Sequence, residues 1–192
     1  MIRYLFPMIA VVCASCQSIG QTTEAKAEYV SEAPLPKGWP VPGPYNQVAL
    51  KSYPSYRAAF SEQQGSTRSF WRLFQHIKAN DIPMTAPVQM GVNTQDEKVE
   101  RTSMAFLYQN TQVGKTGQAE EKVNVRDIPA EKALSYAWQG TDSNENLTAA
   151  YQSLKAELAT RKMHAREFRL LGYNGPGTPR KKATWELQAL LK

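Results

Sequence analysis

STRSFWRLFQHIKANDIPMTAPVQMGV, residues 66–92, holds the transition on which the fold turns. Phe70, Leu73, Phe74 and Ile77 recur there at helical spacing, with Ser66 or Thr67 placed to cap the start and Asn80-Asp81 to stop it. A first amphipathic helix is expected. Pro83 and Pro87 each hold the residue before them extended, so the chain leaves the helix by a set turn and runs on as a strand over residues 87–92. Thr85 and Pro87 have a structural role in that turn, and Met84 stays available to a groove.

Working outward, Val48 and Leu50 alternate with polar neighbours, and Tyr56, Ala58 and Phe60 do so after the Tyr53-Pro54 break. Two short strands joined as a hairpin are expected. Residues 103–109 read as a strand that is apolar on both faces through Met104, Ala105, Phe106, Leu107 and Tyr108. The order is ββαββ, and the second half repeats it. Strands are expected over 122–128 and 131–139, then a helix over 144–162 carrying Leu147, Tyr151, Leu154 and Leu158. Strands over 168–173 and 182–191 follow, joined through the turn Asn174-Gly175-Pro176-Gly177. The predicted fold class is α+β: duplicated ββαββ units, about 45–110 and about 120–192, joined edge to edge into a distorted antiparallel eight-stranded barrel with two flanking helices, since closure removes exposed edges.

The N-terminus opens on one positive charge at Arg3 and an apolar run from Tyr4 to Ala14, shorter than the roughly 20 residues that span a bilayer. Residues 1–15 read as an export signal peptide. Small residues precede Cys16 as they do where bacterial lipoproteins are acylated, so Cys16 is the expected lipidation site. The expected location is then a membrane-anchored lipoprotein, periplasmic or at the outer membrane. Ordinary secretory cleavage with two incidental cysteines is the other reading, and export holds under both. Residues 16–44 are polar, then proline-rich through Pro34, Pro36, Pro40, Pro42 and Pro44, and read as a tether. In the alternative, Trp39 and the prolines pack along the domain as an ordered arm.

One folded domain over 45–192 suits the remaining length. The net charge of +6 is spread along the chain, and its basic runs, such as Arg180-Lys181-Lys182, are not interleaved with aromatics. Nucleic acid is not an expected partner. Nothing in the residues sets the oligomeric state.

Phe70-Trp71-Arg72-Leu73-Phe74-Gln75-His76-Ile77 followed by Ile82-Pro83-Met84-Thr85-Ala86-Pro87-Val88 resembles the helix and "MTAPV" junction of SOUL haem-binding proteins. Lys51-Ser52-Tyr53-Pro54-Ser55-Tyr56-Arg57 is similar to the family's approach strand. Leu171-Gly172-Tyr173-Asn174-Gly175-Pro176 with Trp185-Glu186 is similar to its closing hairpin. The resemblance spans roughly residues 45–192 in order. It departs in the short segment between Ile77 and Met84, and at Trp185, where an Asn is common.

The resemblance implies that haem or free porphyrin is bound in an apolar groove lined by the first helix and bordered by the last loop. A flat tetrapyrrole needs aromatic or thioether walls and cations near its propionates. Trp71, Phe74 and Met84 are candidates for the wall, Arg180 and Lys181 for the propionates, and Tyr173 for closing over the ligand. Each has a bland counterpart: Phe74 as core, Arg180 and Lys181 as hairpin-tip charges, Tyr173 as a buried structural residue. His76 is the candidate axial ligand of haem iron, against a reading as a partly exposed surface histidine beside Leu73. His164 lies past the second helix. Glu186 is expected to point away from the packed face and to pair with an arginine.

A binding module rather than an enzyme is therefore expected, with no catalytic residues assigned. A small-molecule or ring-opening hydrolase using Tyr173 and Glu186 is the alternative, and a protein-interaction lipoprotein is a third.

Overall fold

The computed structural model describes residues 28–61, 66–95, 99–120 and 122–192. The signal peptide and Cys16 lie outside the described residues. Nine strands and two helices follow in the order β1 (Val48–Tyr53), β2 (Tyr56–Ser61), α1 (Ser66–Ala79), β3 (Val88–Asn93), β4 (Glu100–Leu107), β5 (Gly117–Glu120), β6 (Val123–Ile128), β7 (Glu131–Gln139), α2 (Asn144–Thr160), β8 (Ala165–Gly172) and β9 (Thr184–Leu191).

α1 forms where expected and ends where Asp81 takes a left-handed φ of 52°. It buries Leu73 and Ile77 and turns Trp71 and Phe74 outward. α2 starts at Ser143, whose hydroxyl accepts from the Asn146 amide, and buries Leu147, Ala150, Tyr151, Leu154 and Leu158.

The nine strands form one antiparallel sheet in the order β1-β7-β9-β8-β3-β4-β2-β6-β5. Setting β5 aside, exchanging each strand of the first half for its counterpart in the second leaves this order unchanged, which is the mark of two equivalent ββαββ units. The halves meet at the β3·β8 pair, Val88 opposite Gly172.

Two expectations need correction. β1 and β2 are not a hairpin: β1 pairs with β7, while β2 pairs with β4 and β6. A two-residue hairpin turn requires positive φ, and no residue from Tyr53 to Tyr56 has it. Pro54 instead keeps Tyr53 extended, so the chain passes from one end of the sheet to the other. Nor is the sheet a closed eight-stranded barrel. β1 and the additional strand β5, four exposed residues, stand at its two ends and do not pair with each other.

Both faces are nonetheless packed. Strand periodicity sends Met90, Met104, Phe106, Leu170, Leu187 and Ala189 to the helix side, where they meet Leu73, Ile77, Leu147 and Leu154. Their neighbours along the strands form a second cluster on the other side, with Tyr53, Tyr56, Ala105, Leu171, Tyr173 and Leu190 around Trp39. The Trp39 ring lies 4.7 Å from Tyr53 and 5.2 Å from Tyr56, on the first and seventh strands of the order. The sheet is thus curled around an inner face that the arm before β1 fills. Lys37 N donates to Gln109 O and Ala86 N to Pro34 O, fixing the arm. From Pro34 onward the proline-rich stretch is therefore part of the folded body and not a free tether.

Candidate functional site

A groove of about 400 Å³ opens on the helix side, within the range of small-molecule sites. Phe70 from α1, Met84 to Ala86 from the junction, Val88 and Met90 from β3, and Met104 from β4 form one side. Residues 172–176 and Trp185 form the other, and Glu32 and Ala33 of the arm border it. The walls are mostly apolar and rich in thioether. Thr85 holds the junction by donating to Leu107 O at 2.5 Å, which bears out its structural role. Gly172 is required by close approach: a Cβ there would stand 2.8 Å from the Trp185 ring. The Trp185 indole Nε1 is buried without a hydrogen-bond partner among the described residues.

Of the candidates, Met84 lines this groove and Phe70 does so where Phe74 was expected. Phe74 stacks on Phe70 at 6.2 Å with planes 9° apart, and Trp71 meets Phe74 edge-on at 5.8 Å. Trp71 and Phe74 are 56% and 36% exposed. Phe74 is thus not core, and the three rings make an apolar platform running from the groove wall onto open surface.

Of the other candidates, Tyr173 alone is among the groove's lining residues. Tyr173 borders the groove through its chain position, but its hydroxyl faces the inner side, 3.4 Å from both Trp39 Nε1 and Glu186 Oε2. It is a buried structural tyrosine, its ionisation opposed first by burial and then by the Glu186 charge. Arg180 and Lys181 occupy an exposed 3₁₀ turn, and neither is among the groove's lining residues. His164 is exposed immediately before β8.

His76 is 5% exposed, not a surface residue, and both its ring nitrogens are taken. Nε2 hydrogen-bonds with the Tyr108 hydroxyl at 2.7 Å, and Nδ1 lies 2.7 Å from the Glu120 carboxylate on β5. It does not line the groove, because the helix turns it towards β4 and β5 rather than β3. The groove's soft donors are instead the thioethers of Met84, Met90 and Met104. No cluster of three or more His, Cys, Asp or Glu side chains suited to a metal ion occurs among the described residues.

Glu186 departs from expectation as well. It is fully buried on the inner face, where it accepts from Tyr53 OH at 2.7 Å, Gln188 Nε2 at 2.5 Å and Lys51 Nζ at 2.9 Å, and from the Ser135 hydroxyl. Its cationic partner is a lysine. Burial and the adjacent Glu186 charge push the Tyr53 phenol far up, and burial raises Tyr56 to about 12 against the pull of Arg169. Beside them Arg169, 2% exposed, pairs with Glu131 and donates to Gln188 Oε1 at 2.6 Å and Tyr56 OH at 2.8 Å. Sequence reading missed this pair, whose one signal is a charged residue at an otherwise apolar strand end, Arg169-Leu170-Leu171.

Among solved structures, the chain is similar to the EcmrR C-terminal domain, at 19% identity and a TM-score of 0.59, over 76% of this chain and 97% of that one. An uncharacterized conserved protein from Listeria innocua is similar at 12% identity and a TM-score of 0.56, over 78% and 94%. A hydrolase from Listeria innocua follows at 11% and 0.53, over 77% and 93%. At these identities the likeness establishes the fold alone. No curated protein sequence matches. The SOUL heme-binding protein family model matches residues 23–185, a span that takes in the arm, the "MTAPV" junction and Trp185. A groove walled by α1, that junction and the β8–β9 loop, together with a match over most of the chain, makes this protein a member of the SOUL heme-binding protein family.

Proposed function

We propose that the protein binds haem or a free porphyrin in the groove beside α1, and does so at the cell envelope, held to the membrane through acylated Cys16. The observation that carries the ligand reading is the continuous aromatic surface from Phe70 to the exposed Phe74 and Trp71, beside a thioether-lined groove. A flat apolar ring system can enter the groove with one edge and rest the remainder on that platform. Arg68, one turn before Trp71 in a shallow surface depression, offers a cation to the propionates, beside the Arg180 and Lys181 considered from the sequence. Bound haem supplies an iron centre and its redox chemistry; the chain supplies the apolar walls, the thioethers and the exclusion of water.

The test is a Soret-region titration of hemin into the purified full chain. One-to-one saturation near a Kd of about 1 μM, roughly −8 kcal/mol, is expected. The double variant Trp71→Ala/Phe74→Ala should weaken it by about tenfold or more with circular dichroism unchanged, since both side chains are exposed. His76→Ala should leave the spectrum of the bound iron as it is. Uptake that never saturates, or that ignores the double variant, removes the assignment.

For the anchor, no helix among the described residues is long and apolar enough to cross a membrane. Attachment through Cys16 therefore predicts that metabolic labelling with a palmitate analogue marks the wild-type chain and not Cys16→Ser. Equal labelling of both would rule it out.

A further inference from the structure

A second cavity, of about 420 Å³, opens on the opposite side of the sheet. β3 shows this directly: Val88 and Met90 line the helix-side groove, whereas Gln89 and Gly91 line this one. Gly91 is required by close approach, since a Cβ there would lie 2.4 Å from Ser103 Oγ and 2.9 Å from Thr102 Oγ1.

The charges around this cavity do not balance. Arg126, Arg166 and Arg169 line it against Glu131 and Glu167, leaving one positive charge over. Glu131 is taken by both Arg169 and Arg166, and Arg166 Nε reaches Glu167 at 3.3 Å. Arg126 has no ion pair among the described residues; its guanidinium is parked over the Phe60 ring, 4.1 Å from the centroid.

The floor carries a second unmet requirement. Arg169 uses Nε and Nη1 on Gln188, Tyr56 and Glu131, but its Nη2 is buried with no hydrogen-bond partner among the described residues. The rings of Trp39, Tyr53 and Tyr56 stand 5.0 to 5.8 Å from the guanidinium carbon. That donor has almost no surface open to the cavity and is left unmet within the fold. Phe60, Ile128 and Leu190 supply the apolar part of the wall, with Gln89 and Ser103 polar beside them.

We propose that this cavity binds a small organic monocarboxylate. Its carboxylate accepts from the Arg126 guanidinium at the rim, which also balances its charge, and its apolar body lies against Phe60, Ile128 and Leu190. The site is independent of the groove beside α1.

The test titrates benzoate, phenylacetate and 4-phenylbutyrate into the full chain by calorimetry and ligand-observed NMR, with benzyl alcohol and benzylamine as neutral and cationic counterparts. At least one acid should bind saturably below about 10 mM, with the alcohol and the amine at least tenfold weaker. Arg126→Gln, a change at an exposed side chain, should weaken that acid tenfold or more while taking up hemin as the wild type does. If none of the three acids saturates, if the alcohol binds as well as its acid, or if Arg126→Gln binds the acid unchanged, the proposal is overturned. The hemin arm separates that failure from failure of the tetrapyrrole reading.

Discussion

Glu131→Ala lowers the stability of the fold by about 3–5 kcal/mol, because it strands the Arg169 guanidinium, 2% exposed, without its counter-charge. Urea denaturation of the variant measures it directly, as a fall in midpoint at constant slope. The comparison that makes the result specific is Glu131→Leu/Arg169→Met, which removes both charges and fills their space with apolar atoms. That double variant should lose clearly less than the single one, since desolvating two ions takes back most of what their attraction supplies. A double variant as unstable as Glu131→Ala would mean that the loss comes from repacking around Tyr56 and Gln188 and not from the unpaired charge.

Trp39→Ala is the second large loss, also about 3–5 kcal/mol. The indole is 5% exposed, packs on Tyr53 and Tyr56, and donates to Tyr173 OH at 3.4 Å. Its removal opens a cavity at the centre of the inner face and unties the arm that covers it. Amide exchange should therefore rise at Lys37 and Ala86, whose N–H groups hold the arm, before it rises in β8 or β9. Trp71→Ala is the control, an indole of the same size that is 56% exposed and changes stability by less than about 0.5 kcal/mol. Equal losses at the two positions would contradict the arm's place in the core.

What could be read without coordinates divides along a physical line. Local periodicity located both helices and eight of the nine strands, since apolar spacing reports which face of an element is buried. It does not report what covers the other face. Glu186 and Gln188 alternate with Trp185, Leu187 and Ala189 in the pattern of a solvated strand face, yet both are buried, because Trp39 lies over that face from some 150 positions earlier in the chain. The same blindness hid the Arg169–Glu131 pair and the environment of His76, whose partners Tyr108 and Glu120 lie on or beyond β4. β5 was invisible because Gly117–Glu120 has no large apolar side chain to betray it. Strand partners were misjudged at Tyr53-Pro54 because proximity along the chain suggested pairing, whereas the turn residues forbid it. In the groove, Met84 was an expected wall residue, Thr85 was expected only to hold the turn, and Phe70 takes the place of Phe74, which stands about 6 Å further along nearly the same face of α1.

The interchangeable strand order carries a consequence for how such a chain can exist at all. β1 lies beside β7 and β2 beside β6, so each half lends its opening strands to the other and neither can complete its own sheet. A chain cut between β5 and β6 would yield fragments that hold together only by finding one another. A polypeptide of a single ββαββ unit could reach this architecture only as a reciprocal pair, each copy clasping its twin. Joining two such units in one chain turns a bimolecular encounter into an internal one, and leaves folding dependent on contacts between residues as distant as Val48 and Tyr136.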